Sequence, residues 1–186
     1  MRRAKIKKLY TVDGKTYNSK QLYDYHNELN KCKQSGLIDS FSLPGVGEIS
    51  KSKFHSIKAV INNIQFDSLN ESRYYIEVLN GIKNKKIKSY ELQKPYELIP
   101  AYTKNGHKIR KMEYLADFVL KMTDGSTKVV DVKGVETDVF KLKKKLFEYK
   151  YPDLSIECVR YINSLSCWMT LKEYKDFKKQ NRKHST

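Results

Sequence analysis

Hydrophobic residues along this chain follow two spacings, which predict both strands and helices. Residues 111–122 (KMEYLADFVLKM) and 126–133 (STKVVDVK) alternate apolar and polar positions, as half-buried strands do. Residues 137–150 are spaced as an amphipathic helix. Its apolar stripe consists of Val139, Leu142, Leu146 and Tyr149. The pattern continues with a strand over LSIECVRYI and a final amphipathic helix over TLKEYKDFKKQ.

The segment before these strands adds a long strand and a tight turn. Residues 86–102 alternate loosely and predict a strand with a break near Pro95. Asn105-Gly106 is a strong signal for a β-hairpin turn. From residue 60 onward the predicted order is α-β-β-β-α-β-α. This order describes a mixed sheet flanked by helices, in the α/β (α+β) class.

The first half of the chain contains an internal repeat. Residues 12–43 and 61–92 align without a gap when one is shifted by 49 positions. Both copies carry a helix-start signal at the same place, Asn18-Ser19 in the first and Asp67-Ser68 in the second. The alignment predicts a duplicated β-turn–helix–β unit. Chance similarity between two amphipathic helices with similar caps is the alternative.

The two copies differ in the first turn of their helices. Ser68 has Glu71 three positions further on, which is the spacing of a capping box. Leu22 occupies the matching place in the first copy. If an acid in this turn takes part in chemistry, only the second copy supplies it.

Residues 117–134 (DFVLKMTDGSTKVVDVKG) predict a hairpin with an aspartate in each strand. A two-residue loop at Asp124-Gly125 would place Asp117 and Asp131 on opposite faces. A three-residue loop, with Gly125 in the left-handed conformation, would shift the register by one. In that register the facing pairs are Asp117 with Asp131, Phe118 with Val130 and Val119 with Val129. The sequence permits either loop.

Only the three-residue register gathers the charges at one place. It puts Lys133 on the same face as Asp131, because strand side chains alternate. Two opposed carboxylates repel each other, and a divalent cation such as Mg²⁺ between them turns this repulsion into ligation. The lysine can then activate a water and stabilise charge on a phosphate. A solvated edge strand with an ion pair is the ordinary alternative for an Asp-x-Lys sequence.

The chain is strongly basic, and its positive charge is clustered. Lys and Arg number 37 against 21 Asp and Glu, for a formal net charge of +16. The excess lies at MRRAKIKK, at residues 141–145 and at 178–183. This favours a nucleic acid partner over a generally solubilising lysine surface. Phosphate contacts are expected from Lys141, Lys143, Lys144 and Lys145, among which the sequence does not choose.

Apolar runs and cysteines limit the cellular context. No apolar run approaches the ~18 residues that a membrane span needs. The basic N-terminal residues are not followed by the apolar region of a secretory signal. Cys32, Cys158 and Cys167 are odd in number and lack CxxC spacing. We therefore expect a cytoplasmic protein without a disulfide framework, a zinc site or an organic cofactor.

Five short motifs in order resemble a known enzyme superfamily. The motifs are FDSLNESRYY, YELQKPYELIP, YLADFVL, VVDVKG and KLKKKLFEYKYP, within residues 60–160. Together they resemble the PD-(D/E)XK nucleases, and more closely a phage and prophage family of unknown function among the Holliday-junction-resolvase-like nucleases. Ala116 stands where the superfamily name has Pro.

This resemblance implies a restriction-endonuclease-like αβββαβ core over residues 60–164 with a mixed central sheet. Residues 1–59 are then a basic N-terminal extension, and residues 165–186 a C-terminal helix and basic tail. The resemblance implies catalytic roles for Glu71, Asp117, Asp131 and Lys133. The three acids would hold Mg²⁺, for which Mn²⁺ substitutes.

The function expected from these features is metal-dependent DNA cleavage. Branched or junction DNA in phage recombination or replication is the expected substrate, because no base-reading motif is visible. Cutting two strands favours a homodimer. A non-catalytic nucleic-acid-binding or regulatory protein on a nuclease scaffold is the alternative, and the sequence leaves RNA cleavage open.

Overall fold

The computed structural model describes residues 8–48, 56–133 and 135–183 of the chain. Its described residues form a mixed α+β fold with four helices. The chain divides into two compact units, Met1–Asn80 and Gly81–Thr186, and each is described by itself. Apart from Lys8, the basic cluster at the N-terminus lies outside the described residues.

The first unit contains two copies of a hairpin followed by a helix. In chain order its elements are β1 (Tyr10–Val12), β2 (Lys15–Tyr17), α1 (Lys20–Gln34), β3 (Phe41–Ser42), β4 (Ala59–Ile61), β5 (Ile64–Phe66) and most of α2 (Leu69–Lys83). Every bound from β1 to α1 recurs 49 positions later from β4 to α2. The two copies therefore share the order and spacing of their hairpin and helix.

Both hairpins of the repeat turn in the same way. The central residues, Asp13-Gly14 and Asn62-Asn63, all have positive φ, as a type I′ turn requires. The two helices touch through a hydrogen bond of 2.9 Å between the Tyr25 and Ser72 hydroxyls. The copies thus pack together within one unit.

The helix starts differ as the sequence indicates. The Glu71 amide donates to Ser68 Oγ at 3.1 Å, and Glu71 Oε2 accepts from the Asp67 amide at 3.2 Å. This reciprocal arrangement is a capping box. Ser19 makes no side-chain cap at the start of α1, and Leu22 is buried there. At this position the first copy has a buried leucine, whereas the second has the acid Glu71.

The second unit is built on a five-stranded sheet. In chain order its elements are β6 (Ile87–Ile99), β7 (Tyr102–Lys104), β8 (His107–Ile109), β9 (Met112–Met122), β10 (Thr127–Val132), α3 (Asp138–Lys150), β11 (Ile156–Ile162), β12 (Cys167–Thr170) and α4 (Leu171–Lys183). The sheet order is β12-β11-β10-β9-β6, and only β10 and β11 are parallel. The predicted mixed sheet is confirmed; β12 had not been predicted.

The predicted break near Pro95 is wrong. β6 runs unbroken through Pro95, which pairs with Leu115 of β9. Because β6 is an edge strand, one side of its backbone needs no partner strand, and an edge tolerates proline.

Helix α3 begins where the sequence predicts but buries a different face. Thr137 caps it by accepting a hydrogen bond from the Phe140 amide at 3.2 Å. Phe140 and Phe147 are buried in the core beneath the sheet. The residues Val139, Leu142 and Tyr149 of the predicted stripe are 68%, 56% and 88% exposed. Of the predicted stripe, Leu146 alone packs against the core, beside the two phenylalanines.

The hairpin between β9 and β10 has the three-residue register. Val119 pairs with Val129 and Phe118 with Val130. The Met122 amide donates to the Ser126 carbonyl at 2.9 Å, and Gly125 has a φ of +89°. The prediction of a left-handed glycine at this loop is confirmed.

Replacing this glycine tests the loop conformation. We expect Gly125→Ala to lower the free energy of unfolding by about 1 kcal/mol, because a Cβ disfavours the left-handed region. A Cβ at Gly125 would meet nothing within 4 Å, so the loss arises from the backbone alone. Urea unfolding measures it, and Gly125→Asn should lose less. Equal stability of the alanine variant and the parent would contradict the loop.

Cys32, Cys158 and Cys167 are all free. Within the part of the chain that the structure describes, no helix combines the length and apolar character needed to cross a membrane.

Candidate functional site

The two hairpin aspartates lie where the β9–β10 ladder ends. Backbone pairing stops at Phe118 and Val130, one step short of Asp117 and Asp131. There Asp117 Oδ2 accepts a hydrogen bond of 2.8 Å from the Val132 amide. The predicted cross-strand pairing of the aspartates is thus replaced by a side-chain contact, which ties Asp117 to the residue between Asp131 and Lys133.

Asp131 is held in a nearly buried ion pair. Its side chain is 6% exposed, and its Oδ1 lies 2.7 Å from Lys133 Nζ. Its Oδ2 accepts hydrogen bonds from Lys133 at 2.9 Å and from the Tyr114 hydroxyl at 3.0 Å. Burying a carboxylate carries a desolvation cost, which hydrogen-bonded and oppositely charged partners offset. The predicted shared face of Asp131 and Lys133 is confirmed by this contact.

Lys133 is positioned by two neighbouring elements. Its amide donates to the Val159 carbonyl of β11 at 3.0 Å. Its ammonium lies 3.7 Å from the centre of the Phe140 ring on α3, an arrangement that favours a cation. About a quarter of the Lys133 side chain remains exposed (26%).

Tyr114 is a further residue of the site, and no sequence motif assigns it a role. Burial raises the pKa of its hydroxyl above the ordinary value, and the charge of Asp131 and the hydrogen bond to it raise it further. The group therefore stays a hydrogen-bond donor to Asp131. Tyr114 lies three positions before Asp117, and an odd separation puts two side chains on opposite faces of a regular strand.

Strand β9 is not regular at Asp117. Tyr114, Ala116 and Val119 belong to one core cluster, although Ala116 and Val119 have an odd separation. Opposite Asp117 in β6, Gln93 has a positive φ of +49°. Its amide donates to Asp117 Oδ1 at 3.4 Å. The alternation of side chains therefore shifts by one at Asp117, and this shift brings Tyr114 and Asp131 to the same side.

Glu71 belongs to the first unit, where its carboxylate serves the capping box. Its Oε1 accepts from the Ser68 hydroxyl at 2.8 Å. Its participation in a site with Asp117 and Asp131 stays a prediction. Among the described residues no group of three or more His, Cys, Asp or Glu side chains is close enough to hold a metal ion. In the second unit, Asp131 contacts Lys133 directly, and Asp117 accepts a hydrogen bond from the amide of the neighbouring Val132.

The lysines of α3 differ in their surroundings. Lys143 donates to the Glu113 carbonyl at 2.8 Å and so ties α3 to β9. Lys141 pairs with Asp138 at 2.9 Å, and Lys144 lies 4.0 Å from Glu148. Lys145 is exposed.

A cavity of about 310 Å³ lies against β11, which pairs with β10, the strand that carries Asp131. It is lined in part by Cys158, Lys144 and Glu136. Cys158 pairs with Asp131 in the parallel register. Burial raises the pKa of its thiol to about 12, so the thiol is not a nucleophile at neutral pH.

The Tyr114 hydroxyl should contribute to stability. We expect Tyr114→Phe to lower the free energy of unfolding by about 1–3 kcal/mol, because Asp131 loses a buried donor. Tyr149→Phe is the matched control; its ring is 88% exposed and its change should stay within about 0.5 kcal/mol. Chemical unfolding of both variants at neutral pH measures the difference.

The same variant has an expected pH dependence. Because the pKa of Tyr114 is higher in the folded than in the unfolded protein, its contribution is complete below pH ~10 and is lost as the pH rises further. Tyr114→Phe lacks this loss. The gap in stability between parent and variant should therefore narrow above pH ~10, and a gap that widens there would contradict the assignment.

Fold and site together define a class: mixed α+β proteins in which a nearly buried Asp–Lys pair lies at the end of a central hairpin. Residues 51–166 match the protein family described as "Protein of unknown function (DUF1064)", and the chain belongs to that family. No curated protein and no solved structure matches the chain.

Proposed function

We propose that the protein is a metal-dependent endonuclease that hydrolyses phosphodiester bonds in DNA. The observation that carries this proposal is the nearly buried ion pair between Asp131 and Lys133, with Asp117 bonded to the amide between them. A buried ion pair contributes little net stability, since desolvation offsets its attraction. Its presence at the end of the hairpin therefore favours a chemical role over a structural one.

The order of elements supports a restriction-endonuclease-like core of the PD-(D/E)XK type. Omitting the β7–β8 hairpin, the order from α2 to β11 is α-β-β-β-α-β. The acid, acid and lysine of that type correspond to Asp117, Asp131 and Lys133, on two adjacent strands. The parallel pairing of β10 and β11 across α3 agrees with the same core. Glu71 is proposed as the helix acid, by resemblance alone.

The side chains present suit Mg²⁺, and Mn²⁺ by the same oxygen chemistry. Mg²⁺ commonly takes one or two carboxylates and fills its other positions with water and substrate phosphate. Asp117 and Asp131 would supply those carboxylates. When bound, the ion would stabilise charge on the phosphate and make a water more acidic.

Other residues of the site orient Asp131 and position Lys133. Tyr114 and Lys133 orient the Asp131 carboxylate through their hydrogen bonds. Phe140 and the Val159 carbonyl fix Lys133, whose side chain is partly exposed. From this position the ammonium can hold a water for attack or donate to a phosphate oxygen as negative charge develops.

Charge distribution supports DNA as the substrate. The net charge of +16 and the lysines of α3 favour contacts with phosphates. Among these, Lys145 is exposed and Lys141 has only a surface ion pair, whereas Lys143 is engaged by β9. Such contacts carry no sequence information directly, and we propose branched DNA as the preferred substrate. We place the activity in the cytoplasm of a phage-infected or prophage-bearing bacterium, with a homodimer for cutting two strands.

A non-catalytic nucleic-acid-binding protein on the same scaffold is the second candidate. It is favoured by one observation: the described residues hold no cluster of three metal-binding side chains. It predicts binding without turnover.

Cleavage of defined substrates decides between the two candidates. Purified protein is incubated with four-way junctions, flapped duplexes, linear duplexes and single-stranded RNA, with Mg²⁺, Mn²⁺ or EDTA. The endonuclease predicts products with either metal, none with EDTA, and faster cutting of branched DNA. Binding to every DNA without product in any metal would establish the non-catalytic candidate, and faster cutting of RNA would reassign the substrate.

A further inference from the structure

The β7–β8 hairpin is an exposed ribbon at the tip of the β6–β9 pair. Tyr102 pairs with Ile109 in the same register that pairs Ile99 with Met112 three positions earlier. All residues from 100 to 111 are exposed. The strands that carry Asp117 and Gln93 therefore extend beyond the sheet as a ribbon, which we call the arm (residues 100–111).

The arm is uniformly positive. It contains Lys104, Lys108, Arg110 and Lys111, and no Asp or Glu occurs between Glu97 and Glu113. Lys111 is paired with Glu113 at 2.7 Å. Among the residues that the structure describes, no carboxylate forms a salt bridge with the other three cations. Three of its four cations are thus available to a partner.

The two faces of the arm differ. Tyr102, Ile109, Lys104 and His107 share one face, because paired residues point to the same side. Thr103 and Lys108 share the other. Tyr102 is 48% and Ile109 40% exposed. The tip is the polar turn Asn105-Gly106, in which both residues have positive φ.

From these observations we propose that the arm is a DNA-binding element that enters the major groove of duplex DNA. This rests on the proposed function for its substrate class. The major groove is about 12 Å wide and about 8.5 Å deep, and it admits a two-stranded ribbon. Three strand residues and the turn reach roughly 10 Å, which matches that depth.

Duplex DNA fits the arm better than the two other polyanions. The major groove of duplex RNA is too narrow for side chains to read. An arm that binds an anionic membrane would be expected to have an apolar tip. The tip here is the polar Asn-Gly turn between Lys104 and His107. The unpaired cations suit phosphates on both walls of a groove, since they lie on both faces of the ribbon.

A matched pair of triple variants tests the arm. The arm variant carries Lys104→Gln, Lys108→Gln and Arg110→Gln. The control carries Lys20→Gln, Lys31→Gln and Lys33→Gln on α1, which removes the same charge from exposed positions. Affinity for a 30-base-pair DNA duplex and for the matching RNA duplex is measured in EDTA over a range of salt, so that no step depends on cleavage. Circular dichroism checks that both variants fold.

We expect the slope of log affinity against log salt on DNA to fall by about 2–3 in the arm variant, at about 0.9 per lost phosphate contact. Affinity at moderate salt should fall tenfold or more, and the control should stay near the parent. RNA affinity should change equally in both variants. Equal losses of DNA affinity in both variants, or binding of the arm to phosphatidylserine vesicles in preference to DNA, would overturn the proposal.

The outcomes separate the arm from the enzyme. If the parent binds DNA through the arm but cuts no substrate, the arm proposal stands and the endonuclease proposal is overturned. If the parent and the arm variant cut DNA at the same rate and bind it with equal affinity, the arm proposal is overturned and the endonuclease proposal stands. A parent that binds no nucleic acid removes both.

Discussion

Asp131→Asn should abolish metal-dependent DNA cleavage, with a loss of at least about 10³-fold in rate. The change keeps the shape of the side chain but removes the charge that would hold a divalent cation and that pairs with Lys133 at 2.7 Å. A single preorganised electrostatic contact is worth about 10²–10³ in rate, and here ligand and lysine partner are lost together. Single-turnover cleavage of the preferred substrate measures the effect.

Asp124→Asn is the matched control for this variant. Asp124 lies in the turn of the same hairpin, where it accepts hydrogen bonds from the Ser126 amide and hydroxyl at 2.9 Å and 2.6 Å. Its conversion makes the same chemical change outside the site, and cleavage should remain at the parental rate. DNA affinity in EDTA should be unchanged in both variants. Parental cleavage by Asp131→Asn would remove Asp131 from the mechanism.

The sequence limited the register of the central hairpin to two alternatives, and the structure has the three-residue one. A Gly at the third loop position permits the left-handed conformation, and that conformation sets which residues face each other. Once Val119 and Val129 pair, the neighbourhood of Asp117 and Asp131 follows. The repeat was equally visible, because each copy carries its own turn and helix start.

The buried face of α3 could not be predicted from spacing alone. The helix has two apolar stripes, one of Val139, Leu142, Leu146 and Tyr149 and one containing Phe140 and Phe147. Both have helical period, so the period cannot choose between them. The sheet takes the two phenylalanines, and Phe147 packs at 4.9 Å and 5.4 Å from the rings of Tyr96 and Tyr114. The choice depends on tertiary partners.

Two other features depend on neighbours that the sequence does not display. Pro95 stays within β6 because that strand is at the sheet edge, which depends on the order of strands. Tyr114 reaches Asp131 because the alternation shifts at Asp117, opposite the positive φ of Gln93. Neither Gln93 nor Asp117 is a glycine that would signal an irregularity. The acids and lysine could thus be named from sequence, but not the tyrosine that orients them.

Lys133→Gln is expected to reduce cleavage by about 10²–10³-fold while leaving DNA affinity in EDTA unchanged. Glutamine can still donate to Asp131 but carries no charge to stabilise a phosphate. Lys121→Gln on the same hairpin is the matched control, because Lys121 is exposed and its ammonium donates to the Thr127 hydroxyl at 2.9 Å, away from the two aspartates. The control should cut at the parental rate.

Lys133→Gln should also lower the free energy of unfolding. Comparing it with a double variant tests whether the charges of Asp131 and Lys133 depend on each other. Lys133→Gln leaves Asp131 nearly buried without its cation, for which a loss of about 3–5 kcal/mol is typical. Adding Asp131→Asn removes the unpaired charge, so the double variant should be more stable than Lys133→Gln alone. Urea unfolding of the two single variants, the double variant and the parent measures this coupling. If the losses in free energy of unfolding of the two single variants add up in the double variant, the two charges do not depend on each other. That result would contradict the ion pair on which the proposed active site is based.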